Sequence, residues 1–166
     1  MRLEGRVWIL GDGIDTDVLA PGRYMGLPAK DLAHYCLEAV RPEFASQVKK
    51  GDIIIAGKSF GVGSSREQAV ESLKILGIQA VIAESLGGIF QRNALNLGLV
   101  CLSCPTLEIS RFCEFDNVEI DVKAGRLHKA GQYWECEKLP NFLRKMISDG
   151  GLITHLKKET TSKRVL

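Results

Sequence analysis

The sequence predicts an α/β fold, and three neighbouring segments indicate this class. Residues 52–56 are an apolar run of the kind that forms a buried strand. Residues 68–76 repeat apolar side chains three and four positions apart, as a helix does, and Gly77 closes that helix. A second apolar run follows at residues 79–83. A strand, a helix and a strand in this order predict a βαβ unit, whose two strands are parallel.

The segments before this unit predict one strand and two short helices. Residues 3–10 alternate between apolar and polar side chains as a first strand. Apolar residues recur at helical spacing over residues 30–40 and again over residues 44–48, where Lys50-Gly51 ends the second helix. The chain therefore carries further sheet and helix ahead of the βαβ unit.

The segments after the unit predict a helix, a set of strands and a last helix. The first helix covers about residues 90–97, and a strand follows at residues 99–102. Strands with turns are expected at residues 118–122, 124–126 and 132–136. A final helix is expected over residues 141–147, stopped by Asp149-Gly150-Gly151, with one more turn over residues 151–156.

Length, composition and charge indicate one ordinary globular domain. The chain has 166 residues, of which 45% are hydrophobic and 25% are charged. Its 22 basic and 20 acidic side chains give a net charge of +2, so no strong field favours nucleic acid or anionic lipid. No apolar run approaches the roughly 20 residues of a membrane helix. We expect no nucleic-acid or membrane partner, and a solvated polar tail that frays over residues 157–166.

The cysteines predict a reduced protein without a metal site of its own. An odd number of cysteines and no recognisable signal peptide favour the reducing cytoplasm over a disulfide framework. Only Cys101 and Cys104 are closely spaced, and they lie in an apolar segment where buried core cysteines are common. The three histidines are scattered, without ligand spacing. The five cysteines are Cys36, Cys101, Cys104, Cys113 and Cys136.

A glycine-rich segment between the strand and the helix of the βαβ unit predicts an anion site. Residues 57–67 read Gly-Lys-Ser-Phe-Gly-Val-Gly-Ser-Ser-Arg-Glu. Such a turn presents backbone N–H groups and the positive end of a helix dipole, beside the hydroxyls and guanidinium of Ser64, Ser65 and Arg66. The spacing excludes a Walker loop and the dinucleotide fingerprint, which leaves a carboxylate or another small anion. The alternative is an ordinary helix cap by one of the serines.

Four ordered motifs carry a resemblance to a known family. Residues 61–67 match Gly-x-Gly-Ser-Ser-Arg-Glu, and residues 11–17, 80–85 and 89–99 agree in order and spacing. The sequence resembles the swivelling domain of the aconitase superfamily, especially the short archaeal-type small subunits of 3-isopropylmalate dehydratase. The resemblance implies a three-layer β/β/α swivelling fold, here a single domain over residues 1–156.

The resemblance also implies an activity shared between two chains. It implies the small subunit of a heteromeric Fe–S hydro-lyase, most specifically one that isomerises 2- and 3-isopropylmalate by dehydration and rehydration in leucine and other branched-chain amino acid biosynthesis. The implied partner is a large subunit, in a heterodimer or heterotetramer. That partner would carry a [4Fe–4S] cluster whose iron acts as a Lewis acid on the substrate hydroxyl. This chain would hold no cofactor and would be active only with the large subunit.

The resemblance assigns roles to four residues of this sequence. Ser64 stands in the position of the catalytic base, and Ser65 and Arg66 stand where the family binds a substrate carboxylate. Asp17 matches an acidic position near the site. The chemistry agrees, because a serine hydroxyl becomes a useful base only where fixed donors stabilise its alkoxide. The planar guanidinium of arginine binds a carboxylate through two hydrogen bonds.

Two segments depart from the family pattern. After Tyr24 the chain continues Met25-Gly26-Leu27-Pro28, without a charge before Lys30. We expect Tyr24, Met25, Gly26 and Leu27 to line a pocket for an alkyl group, which favours isopropylmalate or a methylated malate over citrate or homocitrate. The second departure is the run of residues 85–88, Ser-Leu-Gly-Gly, whose two glycines we expect to loosen the turn.

There are two alternative functions, one with a different substrate and one in a different functional class. One is the small subunit of a related hydro-lyase, such as 2,3-dimethylmalate dehydratase or homoaconitase, which turnover assays distinguish. The other is a non-catalytic carboxylate-binding module that has lost its partner. Co-purification with an Fe–S subunit separates that module from an enzyme.

Overall fold

The computed structural model of the chain describes residues 1–163, which form seven strands and seven helices. In the first part of the chain strands and helices alternate, whereas in the last part three strands follow one another before two helices. The strands are β1 (Arg2–Leu10), β2 (Ile53–Ala56), β3 (Ala80–Ala83), β4 (Val100–Ser103), β5 (Asn117–Asp121), β6 (Arg126–Lys129) and β7 (Gln132–Glu135). The helices are α1 (Thr16–Leu19), α2 (Ala29–Leu32), α3 (Phe44–Gln47), α4 (Glu67–Ile75), α5 (Gly88–Asn96), α6 (Asn141–Ser148) and α7 (Leu152–Lys163). Short 3-10 turns occur at Gly22–Tyr24, Ala33–Tyr35 and Ile109–Arg111.

The seven strands form one mixed sheet in the order β4-β3-β2-β1-β5-β6-β7. Strands β1 to β4 are parallel, and β5 to β7 continue the sheet in antiparallel pairs. Strand β1 joins the two parts, because residues 7–10 pair with β2 whereas residues 2–6 pair with β5. The predicted βαβ unit is confirmed as β2-α4-β3.

The sheet curls so that its antiparallel part covers one face of its parallel part. Alternate residues of β2 and β3 point to opposite faces and are buried on both. On one face they pack with β5 to β7 and α6, in a cluster that includes Ile53, Ile55, Ile82, Ile120, Leu127 and Trp134. On the other face they pack with the helices, in a cluster that includes Trp8, Ile54, Val81, Phe44, Val70 and Leu73. The α/β class and the three-layer β/β/α arrangement are confirmed.

The helix predicted over residues 30–40 is interrupted. Helix α2 ends at Leu32, a 3-10 turn covers Ala33–Tyr35, and Leu37 adopts a left-handed backbone with φ of 63°. Leu37 is fully buried, and its N–H donates to the carbonyl of Val18 at 3.0 Å. A tertiary hydrogen bond to α1 therefore replaces the intrahelical bond, so the prediction of one continuous helix is wrong.

The expected fraying of the C-terminal segment is wrong for residues 157–163, where α7 continues. Asp149, just after α6, accepts hydrogen bonds from His155 Nδ1 and Lys158 Nζ, each at 2.6 Å. These contacts tie α7 to the end of α6 over two of its turns. Residues 164–166 lie outside the described residues.

Four of the five cysteines are buried, and the structure pairs none of the five in a disulfide. Cys101 lies within β4 and Cys104 just after it, both without exposed surface, so their prediction as core cysteines is confirmed. Burial raises the pKa of the Cys36 and Cys101 thiols, which keeps them protonated. Within residues 1–163, no helix has the length and apolar character needed to cross a membrane.

Candidate active site

The candidate site lies where the parallel strands end. In a parallel sheet the carboxyl ends of neighbouring strands meet at one edge, where loops with functional side chains converge. Here the loop after β1 (residues 11–15), the loop after β2 (residues 57–66) and the turn after β3 (residues 84–87) meet at that edge. We call residues 57–66 the glycine loop.

Backbone hydrogen bonds hold the glycine loop from both sides. On one side, Gly61 N–H donates to the carbonyl of Ile14 at 2.7 Å, and Thr16 N–H donates to the carbonyl of Val62 at 3.0 Å. On the other side, Phe60 N–H donates to the carbonyl of Ser85 at 3.1 Å and Gly87 N–H to that of Phe60 at 2.7 Å. The loop is thus fixed largely by contacts that do not depend on its own side chains.

Two glycines of the loop are required by conformation and by space. Gly61 has φ of 73° and Gly63 has φ of 122°, values that favour glycine. A Cβ atom on Gly61 would overlap the Phe90 ring, and one on Gly63 would lie 2.9 Å from Thr16 Oγ1. The Gly-x-Gly pattern therefore permits the close approach of α5 and the start of α1 to the loop.

Ser64 and Ser65 are exposed, and neither caps the following helix. Helix α4 begins at Glu67 with Arg66 as its N-cap residue, and the structure shows no side-chain capping hydrogen bond at this N-terminus. Among the described residues, no hydrogen bond involves either serine hydroxyl, whereas Arg66 N–H donates to the Ser64 carbonyl at 2.8 Å. The alternative that a serine of this motif is an ordinary helix cap is wrong.

Arg66 is held by two oxygens of the segment that follows β1. Its Nη1 donates to the carbonyl of Ala20 at 3.1 Å and to Asp17 Oδ1. In the part of the chain that the structure describes, its Nε and Nη2 have no hydrogen-bond acceptor. The guanidinium is thus fixed at one end and has donors available at the other, which suits it to an incoming carboxylate.

Asp17 connects Arg66 to the next segment of the chain. Its Oδ1 also accepts a hydrogen bond from Gly22 N–H at 3.0 Å. The hydrogen bond from Arg66, followed by that from Gly22, holds the pKa of Asp17 below its usual range. The structure therefore brings Asp17 to Arg66, as an ionised partner that orients the guanidinium.

The predicted alkyl-binding residues lie on a loop that starts beside Arg66. We call residues 21–28 the Tyr24 loop. A Cβ atom on Gly22 would lie 3.4 Å from Arg66 Nη2, so the start of this loop adjoins the guanidinium. Tyr24 and Met25 are half-buried against the helical side of the core, whereas Gly26 and Leu27 are exposed at the tip. The structure brings the loop's start, but not its tip, into contact with Arg66.

The turn over residues 85–88, whose two glycines are expected to loosen it, is tied to the glycine loop. A Cβ atom on Gly87 would lie 2.5 Å from the carbonyl oxygen of Gly61, and this approach requires glycine. Ser85 Oγ accepts a hydrogen bond from Ser59 N–H at 2.8 Å, and Phe60 forms a bridge with Leu86. Glycine here permits contact between two loops.

Sequence reasoning missed several groups around the site. The carbonyl of Ala20 and the N–H of Gly22 are backbone groups, and no residue type in the sequence marks their roles. Arg23, next to Tyr24, pairs with Glu38, and the fold brings these two residues together from separate segments of the chain.

The described residues do not offer a ligand set for an iron–sulfur cluster. Such a cluster needs several converging thiolates. Within residues 1–163, no group of three or more histidine, cysteine or acidic side chains is arranged to hold a metal ion. The buried cysteines pack in the two core clusters, away from the exposed Ser64 and Ser65.

Comparison with known proteins identifies the family. The family model of the aconitase C-terminal domain matches residues 29–107. A 3-isopropylmalate dehydratase small subunit from Halothermothrix orenii is 45% identical over 160 residues, which span 95% of this chain and 96% of that protein. The chain belongs to the 3-isopropylmalate dehydratase small-subunit family of the aconitase superfamily.

Two further relatives show how far this family membership extends. A homoaconitase small subunit from Methanothermobacter thermautotrophicus is 44% identical over 156 residues, which span 92% of this chain and 89% of that protein. A crystal structure of 3-isopropylmalate dehydratase from Methanocaldococcus jannaschii is 37% identical, with a TM-score of 0.89 over 99% of this chain and 98% of that one. The fold of this aconitase-family chain thus matches that relative over nearly its whole length. The resemblance drawn from the four sequence motifs is confirmed.

Proposed function

We propose that this chain is the small subunit of 3-isopropylmalate dehydratase, a hydro-lyase that isomerises 2- and 3-isopropylmalate in leucine biosynthesis. Relatives from Halothermothrix orenii, Methanosarcina acetivorans and Archaeoglobus fulgidus at 42–45% identity carry the small-subunit name. One structural observation carries the catalytic assignment. It is the exposed Ser64–Ser65 pair beside an Arg66 guanidinium whose orientation Asp17 fixes.

Arg66 and Ser65 bind a carboxylate of the substrate in this proposal. The unoccupied Nε and Nη2 donors of Arg66 supply the planar pair of hydrogen bonds that a carboxylate accepts. The N-terminus of α4 begins at the next residue and adds its positive dipole end. Ser65, immediately before Arg66, contributes a hydroxyl donor to the same anion.

Ser64 removes the proton from the carbon next to that carboxylate. Its hydroxyl is exposed and is not used as a helix cap, so it is available to accept a proton. The negative charge that develops on the substrate spreads into the carboxylate that Arg66 holds, which lowers the barrier. A serine needs fixed donors around its alkoxide, and the glycine loop is held rigidly enough to keep its N–H groups in place.

The chemistry at the substrate hydroxyl belongs to the large subunit in this proposal. The described residues of this chain do not fit a [4Fe–4S] cluster, so the cluster that the family implies is assigned to the partner. The small subunit then supplies the base and a carboxylate site. The complete site forms when the two chains associate, in the cytoplasm, as a heterodimer or heterotetramer.

The Tyr24 loop selects the substrate's alkyl substituent. Tyr24, Met25, Gly26 and Leu27 offer no charge to a third carboxylate, and the neighbouring Arg23 is engaged by Glu38. Arg23 is therefore not available as the cation that homocitrate would require. This arrangement favours isopropylmalate over the tricarboxylic acid of the homoaconitase relative, and 2,3-dimethylmalate is the nearest competitor.

Reconstitution tests the proposal. The chain is produced alone and together with its large subunit under anaerobic conditions, and turnover of isopropylmalate, dimethylmalate and homocitrate is measured. We expect the isolated chain to be colourless and inactive, and the complex to be brown and most active on isopropylmalate. A preference for homocitrate would contradict the substrate assignment. A complex that binds a carboxylate without turning over any malate would indicate the non-catalytic module.

A further inference from the structure

A second set of contacts holds the Tyr24 loop through the two residues that follow Gly22. The Tyr24 ring stacks on the Tyr35 ring, with centroids 3.7 Å apart and planes inclined by 17°. Arg23 pairs with Glu38, and its guanidinium lies 4.9 Å from the centroid of the Tyr24 ring. Two consecutive residues of the loop are therefore bound to two residues of one neighbouring turn.

That turn is itself firmly anchored. Tyr35 and Glu38 flank Cys36 and Leu37, which are buried, and Leu37 has a left-handed backbone. The N–H of Leu37 donates to the carbonyl of Val18, and its own carbonyl accepts from the N–H of Arg41 at 2.7 Å. We call residues 35–38 the anchor turn. It is joined to α1, the helix that also carries Asp17.

A groove separates the start of the Tyr24 loop from the anchor turn. It has a volume of about 470 Å³ and is lined by Asp17, Val18, Pro21, Gly22, Arg23, Glu38 and Ala39. Two side-chain contacts join these segments, the Arg23–Glu38 pair and the stack of Tyr24 on Tyr35. The backbone-to-backbone hydrogen bonds of residues 22–27 stay within the loop, as from Leu27 N–H to the carbonyl of Tyr24 at 2.9 Å, and Gly22 N–H donates to the side chain of Asp17. The position of the loop thus depends on side chains.

We infer that Tyr35 and Glu38 are positioning residues that set substrate selectivity by holding the Tyr24 loop. Neither residue needs to touch the substrate. Loss of either contact lets Tyr24 move relative to Gly22, where Asp17 and Arg66 hold the loop's other end. A displacement of the order of 1 Å in a substrate-positioning segment is sufficient to change turnover. This inference rests on the proposed function.

The test compares Tyr35→Ala and Glu38→Gln with wild type in the reconstituted complex. We measure kcat/KM for isopropylmalate and for dimethylmalate, which differ in the alkyl group that the loop would contact. Both variants are expected to lower the isopropylmalate preference, by about tenfold for Tyr35→Ala. Tyr35→Phe keeps the stacked ring and is expected to restore the preference. Glu38→Gln removes the charge but keeps the size of the side chain. It therefore tests the inference even if Tyr35→Ala fails to fold.

The chain offers a matched control in the antiparallel part of its sheet. Arg126 lies 4.7 Å from the centroid of the Tyr133 ring and pairs with Glu135 at 3.0 Å, an arrangement like that of Arg23, Tyr24 and Glu38. It belongs to β6 and β7 and has no part in the loops that form the candidate site. Tyr133→Ala and Glu135→Gln are expected to leave the substrate ratio unchanged.

Hydrogen exchange supplies a readout that does not require activity. The amides of residues 22–27 are expected to exchange faster in Tyr35→Ala and Glu38→Gln than in wild type, and at the wild-type rate in Tyr133→Ala. An active wild-type complex whose substrate ratio stays within about twofold in both variants would overturn the inference. A wild-type complex inactive on both malates would instead contradict the proposed function, and unchanged exchange would overturn the anchoring itself.

Discussion

The glycine loop ends at Arg66 and the Tyr24 loop begins beside it, but the two loops are held by different kinds of contact. The glycine loop is held by backbone hydrogen bonds to the segments on either side and by glycines that permit close approach. In the Tyr24 loop, backbone-to-backbone hydrogen bonds stay within the loop, and side chains hold it in place: an aromatic stack, an ion pair and the carboxylate of Asp17, which accepts from Gly22 N–H.

The difference suggests how such a fold keeps one reaction and changes its substrate. A loop fixed through its backbone keeps its position when exposed side chains change, which suits the proposed base and carboxylate site. A loop fixed through side chains moves when one of those side chains is replaced, which suits a selectivity element. Substitutions in the glycine loop should therefore affect kcat, KM or stability without changing which substrate is preferred, and those in the Tyr24 loop should affect the substrate ratio.

The largest expected effect is on Ser64. In the reconstituted complex, Ser64→Ala should lower kcat by about 10²- to 10⁴-fold with little change in KM, because a base acts in the transition state. Ser46→Ala, which removes an exposed hydroxyl on α3, is the control and should behave as wild type. Retention of more than about a tenth of kcat would mean that the base lies elsewhere.

The next largest effect is expected at the tip of the Tyr24 loop. Gly26→Arg and Leu27→Arg place a cation among residues 24–28, which carry no charge. The kcat/KM for isopropylmalate should therefore fall, and the ratio of kcat/KM for homocitrate to that for isopropylmalate should rise. The change in ratio should lie within about 10- to 200-fold, the range for one small apolar group. Leu156→Arg changes a leucine of similar exposure on α7 and is the control. Equal ratios in all three variants would remove this loop from substrate selection.

The fold could be predicted where local patterns and short connections decide it. The βαβ unit, its parallel strands and the glycine loop follow from apolar runs, helical spacing and glycines that lie within one stretch of chain. The break at Leu37 could not be predicted, because it depends on a hydrogen bond to Val18. The continuation of α7 likewise depends on Asp149 meeting His155 and Lys158.

The same distinction holds within the candidate site. The motif drew attention to Ser64, Ser65 and Arg66, which are neighbours in the chain. The partnership of Asp17 with Arg66 needed the fold, which brings the segment after β1 against the start of α4. The contacts of Tyr35 and Glu38 had no signal in the sequence, because a tyrosine or a glutamate on a predicted helix has no marked partner until the fold shows where the helix breaks.

A third effect is expected from Arg66. Arg66→Lys keeps the charge but loses the planar pair of donors, so kcat/KM should fall by about tenfold to a hundredfold, mainly through KM. Asp17→Asn should have a smaller effect in the same direction, because the guanidinium keeps its hydrogen bond to Ala20. Arg126→Lys, at the surface pair on β6, is the control. A fall confined to kcat would indicate that Arg66 does not bind the substrate in the ground state.

The smallest effect compares three glycines and tests the contrast between the loops most directly. Gly87 has an ordinary φ of −67°, so alanine is strained there only by its contact with the Gly61 carbonyl oxygen and the Val62 nitrogen, at 2.5 and 2.9 Å. Gly87→Ala should therefore lower the free energy of unfolding by about 1–3 kcal/mol and the melting temperature by several degrees.

Gly88 and Gly26 have open space where a Cβ would lie. Gly88→Ala in the first turn of α5 should leave stability unchanged or raise it by up to about 1 kcal/mol, and Gly26→Ala should change it little. Thermal unfolding of the isolated chain measures all three, and turnover of the complex shows whether Gly87→Ala also lowers kcat. If the three variants unfold at the same temperature, the turn after β3 yields freely to the added methyl group. The glycine loop is then no more rigidly held than the Tyr24 loop, and the distinction between a loop fixed through its backbone and one fixed through side chains fails.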